Sequence, residues 1–373
     1  MMVRVAIDAR LLAYQSAGTA TYIRGLLRGF QEVGRIVDVV AVRSHKDKQP
    51  DDLDGISSRI AWTPCHHRWE RWTFGLELAT LHVDLLHSPD FIAPARLGRR
   101  WARVITVHDL AFLRFPQFLT SDSLQYYRQI HRSVAEAERI ICVSEATKRD
   151  LLELTAASPE KIAVIPEGVG SAFVPLPAEQ AARWVRERFG LDRPYFLFVG
   201  TLEPRKNLGR LVEAFARFRW RYGPNGPLLA LVGKRGWLSD EFDAWLKPLG
   251  DSVRLLGRVD ENDLVALYNG ALVLALVSHY EGFGLPALEA MACGRATLVS
   301  NVASLPEIVG DAGLTVSPDD VEAISEAMAR LWEDSELRAE LGARGRRRAG
   351  LFNWPTVARE TAAVYQQAVS CVC

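Results

Sequence analysis

The sequence predicts an α/β protein made of two doubly wound parallel sheets facing across a cleft, and three observations carry that expectation. Short, nearly continuous apolar runs alternate with longer amphipathic stretches. The alternation pauses at a proline-marked segment, Pro166-Glu167-Gly168-Val169-Gly170 followed by Pro175 and Pro177, and then restarts. The 373 residues suffice for two domains, each with its own core.

In the first half, Val3 to Ile7, Ile36 to Val42, Val83 to His87, Val104 to Val107 and Ile140 to Val143 read as buried parallel strands. Between them, Thr19 to Val33 places Tyr22, Leu26, Leu27, Phe30 and Val33 on one helical face and stops at Gly34. Ser144 is a good N-cap for a helix running to Leu154. After Ile162 to Ile165 comes the linker. In the second half the strands are Tyr195 to Val199, Leu228 to Val232, Val253 to Leu256, Leu272 to Leu276 and Ala296 to Val299. Helices are expected at Leu208 to Tyr222, Glu261 to Tyr268, Pro286 to Ala292, Ser304 to Val309, Asp319 to Trp332, Glu336 to Arg348 and Pro355 to Val369. The expected domains are 1–174, 175–354, and a terminal helix in 355–373 that packs back on the first domain.

Composition narrows the function. Lys+Arg and Asp+Glu are both 45, which disfavours a nucleic-acid binder. No run reaches the ~18 apolar residues of a membrane span, and Val3-Arg4-Val5-Ala6-Ile7-Asp8 follows the start without a signal-peptide pattern, so a cytoplasmic protein is expected. Five scattered cysteines, at 65, 142, 293, 371 and 373, suit reduced thiols. Their spacing suits no zinc site, and no acidic Asp-x-Asp cluster flanks the candidate site, so neither a metal nor another cofactor is expected.

Ligands of open α/β sheets bind outside the carboxyl ends of the strands. The candidates at those positions are the loop with Gly18, His108-Asp109, Gly200 to Asn207 (with Thr201, Arg205 and Lys206), Gly257 to Asp260 (with Val259), and Glu281 to Glu289. Arg205-Lys206 could neutralise a diphosphate, Arg by bidentate bonds and Lys as a point charge, or could be a solvated surface pair. His108 could carry a proton, donate to a hydroxyl, or be a structural histidine. In Glu281-Gly282-Phe283-Gly284-Leu285-Pro286-Ala287-Leu288-Glu289, a glycine turn leads into a helix whose N–H groups can seat a phosphate. A glycosidase pair is disfavoured. In a continuous helix the two carboxylates would lie ~12 Å apart along the axis, beyond the ~5 to 9.5 Å of such pairs. They suit the two ends of one extended ligand instead, or else are one exposed helix glutamate and one N-terminal glutamate favoured by the helix dipole.

A second cluster, Trp62, His66, His67, Arg68, Trp69, Arg71 and Trp72, then Arg96, Arg99, Arg100, Trp101 and Arg103, then Phe112, Phe115 and Phe118, interleaves aromatic and basic residues. It suits anionic lipid headgroups or a carbohydrate acceptor, or else an ordinary surface with some tryptophans in the core.

Together these segments resemble glycosyltransferase family 4, retaining enzymes of the two-Rossmann GT-B fold with nucleotide-sugar donors. The resemblance rests on Val107-His108-Asp109, Val143-Ser144-Glu145, Gly200 through Asn207, Gly257-Arg258-Val259, Glu281 through Glu289, and Leu305-Pro306-Glu307, in that order. It implies that Arg205 and Lys206 hold the donor diphosphate, and that Glu281 with Gly282, Phe283, Gly284 and Leu285 contacts the transferred sugar and distal phosphate. It further implies that Glu289 binds the ribose hydroxyls, that Thr201 and Val259 complete the donor set with the base near Val259, that Gly18 approaches the phosphates across the cleft, and that His108 lies near the donor sugar and acceptor. The chain departs from the family pattern at Glu167, where relatives carry Asn or Tyr, and lacks prolines before Ser278 and Ala296. The implied activity is hexose transfer from a nucleotide-diphosphate sugar, GDP-mannose first and UDP- or dTDP-linked sugars next, to a glycan or lipid-linked glycan in polysaccharide assembly; the aromatic and basic cluster of the first half leaves peripheral contact at the inner membrane face open. A nucleotide-sugar epimerase and a non-catalytic sugar-nucleotide-binding subunit are the alternatives.

Overall fold

The computed structural model describes residues 2–14, 17–47, 55–97, 101–118, 121–223, 225–236 and 240–372. The expectations for Arg99, Arg100, Cys373 and the Phe118 side chain lie outside what it describes. The chain divides into two compact units, Met1–Gly168 with Phe352–Cys373, and Val169–Leu351.

In the first unit the strands are β1 (Arg4–Asp8), β2 (Asp38–Ser44), β3 (Ser57–Ala61), β4 (Leu85–Ser88), β5 (Ala102–Val107), β6 (Arg139–Cys142) and β7 (Ile162–Val164). They form one sheet in the order β3-β2-β1-β4-β5-β6-β7, every pairing parallel. The second unit repeats the plan with β8 (Tyr195–Val199), β9 (Leu228–Val232), β10 (Val253–Gly257), β11 (Val273–Leu276), β12 (Ala296–Ser300) and β13 (Leu314–Val316), ordered β10-β9-β8-β11-β12-β13 and again parallel. In each sheet the strand order reverses beside the unit's first strand, between β1 and β4 and between β8 and β11. Such a reversal opens a crevice at the carboxyl ends of the two strands. The central strands are apolar on both faces because helices cover both; Phe196, Leu197 and Phe198 are fully buried.

The helix Trp354–Ser370 packs along the helix Ala17–Val33 within the first unit. It starts where Asn353 Oδ1 accepts from the Thr356 amide at 3.0 Å, with Pro355 in the first turn, where its missing N–H costs nothing. Close approach depends on two glycines. A Cβ on Gly25 would lie 2.0 Å from Trp354 Cε2, and one on Gly29 2.4 Å from the Trp354 carbonyl oxygen. Deeper in, His87 on β4 bridges the Tyr365 hydroxyl at 2.7 Å and Thr106 Oγ1 at 2.8 Å.

The division falls at 168/169 and 351/352, not at 174/175 and 354/355. Residues from 169 belong with the second unit because Phe173 packs edge-on against Tyr268, and Asn269 holds the segment, donating to Val174 O at 3.0 Å and accepting from Leu176 N at 2.8 Å. Trp354, by contrast, is buried with the first unit. The sequence reading missed β3, β13 and the helices Glu70–Leu78, Gln129–Glu136 and Ala178–Phe189.

The aromatic and basic cluster splits in two. Arg71 and Arg103 both bond Glu136, Arg96 bonds Glu138, and Trp101 and Phe112 are buried. Trp62, Trp69 and Trp72 are exposed.

Candidate functional site

The second unit gathers its chemistry at the β8/β11 crevice. After β8 the chain makes a short 3-10 turn, Pro204–Lys206, and Asn207 in a left-handed conformation (φ 57°) then starts the helix Leu208–Tyr222. Asn tolerates that conformation because its short polar side chain bonds locally. Here the Asn207 amide donates to Val277 O at 2.9 Å and Pro318 O at 2.7 Å, tying the turn to the end of β11. The His279 amide also donates to Arg205 O at 2.9 Å. Residues from β8 and from β11 are thereby held in fixed register.

Glu281 sits at the centre. Lys206 Nζ lies 2.7 Å from both of its carboxylate oxygens, Ser278 Oγ donates to Oε1 at 2.7 Å, and Arg205 Nη1 lies 3.5 Å from Oε2. Arg205 is steadied by Tyr280 O at 2.9 Å and Glu203 Oε1 at 2.8 Å. Lys206 and Glu281 are both buried, so Arg205-Lys206 is not a solvated surface pair. Burial pushes the Glu281 carboxyl up, but the charges of Lys206 and Arg205 outweigh it and hold it below the usual carboxylate range. The same burial lowers the Lys206 ammonium, and Glu281 offsets part of that. The result is an ionised carboxylate with two cations around it, and those cations can exchange its oxygens for those of an anionic ligand.

Glu281 precedes the helix Leu285–Ala292 and Glu289 lies on it, the arrangement the spacing suggested. The turn between is fixed through its carbonyls: Ser304 Oγ lies 2.9 Å from Glu281 O and 2.7 Å from Phe283 O. Gly284 caps the helix at φ 108°, a conformation that glycine supplies without a steric penalty. Gly282 and Phe283 are buried and Leu285 is half-buried. Farther along, the buried Tyr268 hydroxyl donates to Glu289 Oε2 at 2.7 Å. Burial and the Glu289 charge push the Tyr268 phenol well above its usual value, so it remains a donor. Thr201 is half-buried just after β8, and Val259 is half-buried in the loop after β10.

In the first unit, His108 follows β5. Its Nδ1 lies 2.9 Å from Glu167 Oε1 and its Nε2 2.8 Å from Pro89 O, with Tyr22 edge-on at 4.8 Å. Gly18 is exposed and lies in the first turn of the helix Ala17–Val33, not in a loop as the sequence suggested. The structure therefore brings Arg205, Lys206 and Glu281 into one bonded cluster, with Gly282 to Leu285 and Glu289 on the turn and helix that follow. Gly18 and His108 belong to the other unit. Sequence reasoning gave no role to Ser278, Ser304, Tyr268 or Glu167. Tyr268 carried a signal, a polar-tipped side chain on the core face of the helix just before β11.

Two family profiles match, "Glycosyltransferase Family 4" over residues 16–172 and "Glycosyl transferases group 1" over residues 184–348. O-antigen chain mannosyltransferase B of Escherichia coli is 34% identical over 318 residues, 82% of this chain and 79% of that protein. MMP alpha-(1->4)-mannosyltransferase of Mycolicibacterium hassiacum is 31% identical over 262 residues, 66% of this chain and 57% of that protein. Among solved structures, sucrose-phosphate synthase from Thermosynechococcus elongatus superposes with a TM-score of 0.79 over 99% of this chain and all of that one, at 24% identity. With both profiles satisfied and a relative this similar over four-fifths of its length, the chain belongs to glycosyltransferase family 4 and is a hexosyltransferase of the GT-B fold.

Proposed function

We propose that this transferase moves mannose from GDP-mannose to a hydroxyl of a glycan or lipid-linked glycan, with retention of configuration. The observation that carries the reading is the Arg205–Lys206–Glu281 cluster at the β8/β11 crevice, the kind of position at which open α/β sheets bind their ligands. The choice of mannose is supported by the mannosyltransferases among its relatives. A nucleotide diphosphate is already a good leaving group, so the protein's main service is to stabilise the charge that gathers on it as the glycosidic bond breaks. Arg205 and Lys206 supply that positive charge without a divalent ion, Glu281 faces the sugar, and Glu289 accepts from the ribose. Transfer that persists in excess EDTA supports the metal-free reading.

A thermal-shift panel of GDP, UDP, dTDP and ADP tests the donor. The cognate nucleotide at ~100 times its Kd stabilises by ~2.7 kcal/mol, and GDP is expected to lead. A UDP or dTDP lead overturns the donor assignment. Isomerised sugar from donor alone, without acceptor, would identify an epimerase instead.

The partner surface lies on the first unit. Trp69, Trp72 and Leu76 form one outward stripe of the helix Glu70–Leu78 and its N-cap, opposite the buried Phe74 and Leu78. They are 53%, 45% and 63% exposed. Beside them the end of β3 presents Ile60 and Trp62, held to this helix by Glu77, which accepts from the Trp62 and Thr63 amides at 2.7 Å. Arg68 and Arg132 lie over the Trp69 and Trp72 rings. Tryptophan with aliphatic residues and arginine matches the boundary of an anionic bilayer better than a sugar-stacking platform, which has no use for Leu76 and Ile60. Co-sedimentation with vesicles containing phosphatidylglycerol, lost in Trp69→Ser/Trp72→Ser, tests it. Equal pelleting with neutral vesicles or by the double variant overturns it.

A further inference from the structure

His108 and Glu167 form a buried pair within the first unit. The Glu167 side chain is 4% exposed and that of His108 19%. Both His108 ring nitrogens are engaged, and Nε2 faces the Pro89 carbonyl, a group that can only accept. Nε2 must therefore carry hydrogen. Nδ1 faces a carboxylate oxygen, so one further proton lies on the Nδ1–Oε1 line. An isolated neutral imidazole has one ring proton; this geometry calls for two.

We propose that Glu167 is a positioning residue whose buried carboxylate, acting with the Pro89 carbonyl, keeps His108 doubly protonated and fixed in orientation, so that the ring serves transfer as a stationary cation and not as a proton-accepting base. The proposal rests on the transferase reading above and deepens it. With Nε2–H pointing at Pro89 O and Nδ1 at Glu167, the ring offers no lone pair to an acceptor hydroxyl.

The surroundings agree in sign. Asp90, in the loop after β4, contributes further negative charge; Tyr22 presents a ring edge from the helix Ala17–Val33; and His87 on β4 is held neutral by burial. Burial alone would lower the His108 pKa, but the Glu167 bond and charge, the Pro89 carbonyl and Asp90 outweigh it and raise it above the ordinary imidazole value. The Glu167 Oε2 atom has no partner among the described residues, which places the pairing capacity of this carboxylate on His108. Gly168 leaves no slack beside it, since a Cβ there would lie 2.7 Å from the Trp354 amide nitrogen.

The test uses the full chain in two arms. In the first, nitrogen-15 titration of the histidine rings follows His108, identified by its loss in His108→Asn. The wild-type ring is expected to keep both protons past pH ~6.5, where an ordinary histidine loses one, and Glu167→Gln to bring the transition down. In the second, kcat against pH stays level for wild type through neutrality. In Glu167→Gln it falls above the new transition by about tenfold per pH unit, with donor KM unchanged. A wild-type ring titrating at the ordinary value, or a Glu167→Gln titration identical to wild type, overturns the pairing. An unchanged kcat profile in Glu167→Gln overturns its part in transfer. Absence of transfer by wild type with any nucleotide sugar refutes the transferase reading, and the ring titration then judges the pairing separately.

Discussion

Tyr268 donates its hydroxyl hydrogen to Glu289 Oε2 across 2.7 Å, both groups being buried. The bond fixes the orientation of the Glu289 carboxylate, as the proposed acceptance from ribose hydroxyls requires. Tyr268→Phe keeps the ring and its packing against Phe173 while removing the bond. The expected outcome is a ~5- to 10-fold rise in the nucleotide Kd, about 1 to 1.4 kcal/mol and so the size of one ordinary hydrogen bond, with kcat nearly unchanged. Isothermal titration with GDP and steady-state kinetics measure it.

The Lys206–Glu281 pair is buried enough that removing either partner strands the other. Lys206→Ala and Glu281→Ala are each expected to lower transfer by about 10²-fold or more. They also differ from an ordinary active-site change. Breaking a buried pair costs about 3–5 kcal/mol, so each single variant loses stability, and Lys206→Met/Glu281→Leu recovers part of it without recovering activity. Denaturant midpoints for the three proteins, compared with wild type, check this.

His87 makes stability depend on pH. Burial between Tyr365 and Thr106 lowers its pKa to about 3, so it stays neutral in the folded protein. The unfolded chain binds a proton near pH ~6.5. Below that value only the unfolded state gains charge, and stability falls with pH, by up to ~1.4 kcal/mol per unit, until the folded value is reached. Above pH ~6.5 the contribution is fully present. Glu136, drawn down to about 2 because bonds from Arg132 and Arg71 and the charge of Arg103 outweigh burial, adds a second loss that begins near the ordinary carboxylate range. A series of denaturation curves from pH 7.5 to 3.5 is expected to show both, and His87→Gln to remove the earlier one.

Gly25→Ala tests the seating of the terminal helix. In an exposed helix the change would stabilise by ~1 kcal/mol. Here the new methyl would fall 2.0 Å from the Trp354 ring, and overpacking of this kind costs about 1–3 kcal/mol or more. The clash wins, so the melting temperature is expected to fall, and a smaller side chain in Gly25→Ala/Trp354→Leu to restore part of the loss.

What the sequence disclosed depends on how far each signal reaches along the chain. Tyr195–Val199 and Leu228–Val232 were legible to the residue because strands buried on both faces are continuous apolar runs. β3 was missed because an edge strand reading Ser-Ser-Arg-Ile-Ala, exposed over most of its length, carries no such run. The helix Ala178–Phe189 was hidden by the prolines before it, which read as a linker. In the site, Arg205, Lys206 and Glu281 sit directly after strands and could be found from position alone. Tyr268, Ser304 and Glu167 act on groups 21, 23 and 59 residues away in the chain, and no local pattern encodes such pairings. Arg71 and Arg103 looked like surface charge because Glu136, which neutralises both, is equally remote.

The helix Trp354–Ser370 completes a unit whose other residues end at Gly168, with the whole of Val169–Leu351 intervening. During synthesis from the N-terminus, the face of Tyr22, Leu26 and Phe30 and the notch at Gly25 and Gly29 therefore wait uncovered while every strand of the second unit emerges. The order of completion is the reverse of the order of appearance. The second unit can close first, and the unit that begins the chain becomes whole only when Trp354 arrives to fill the notch left for it.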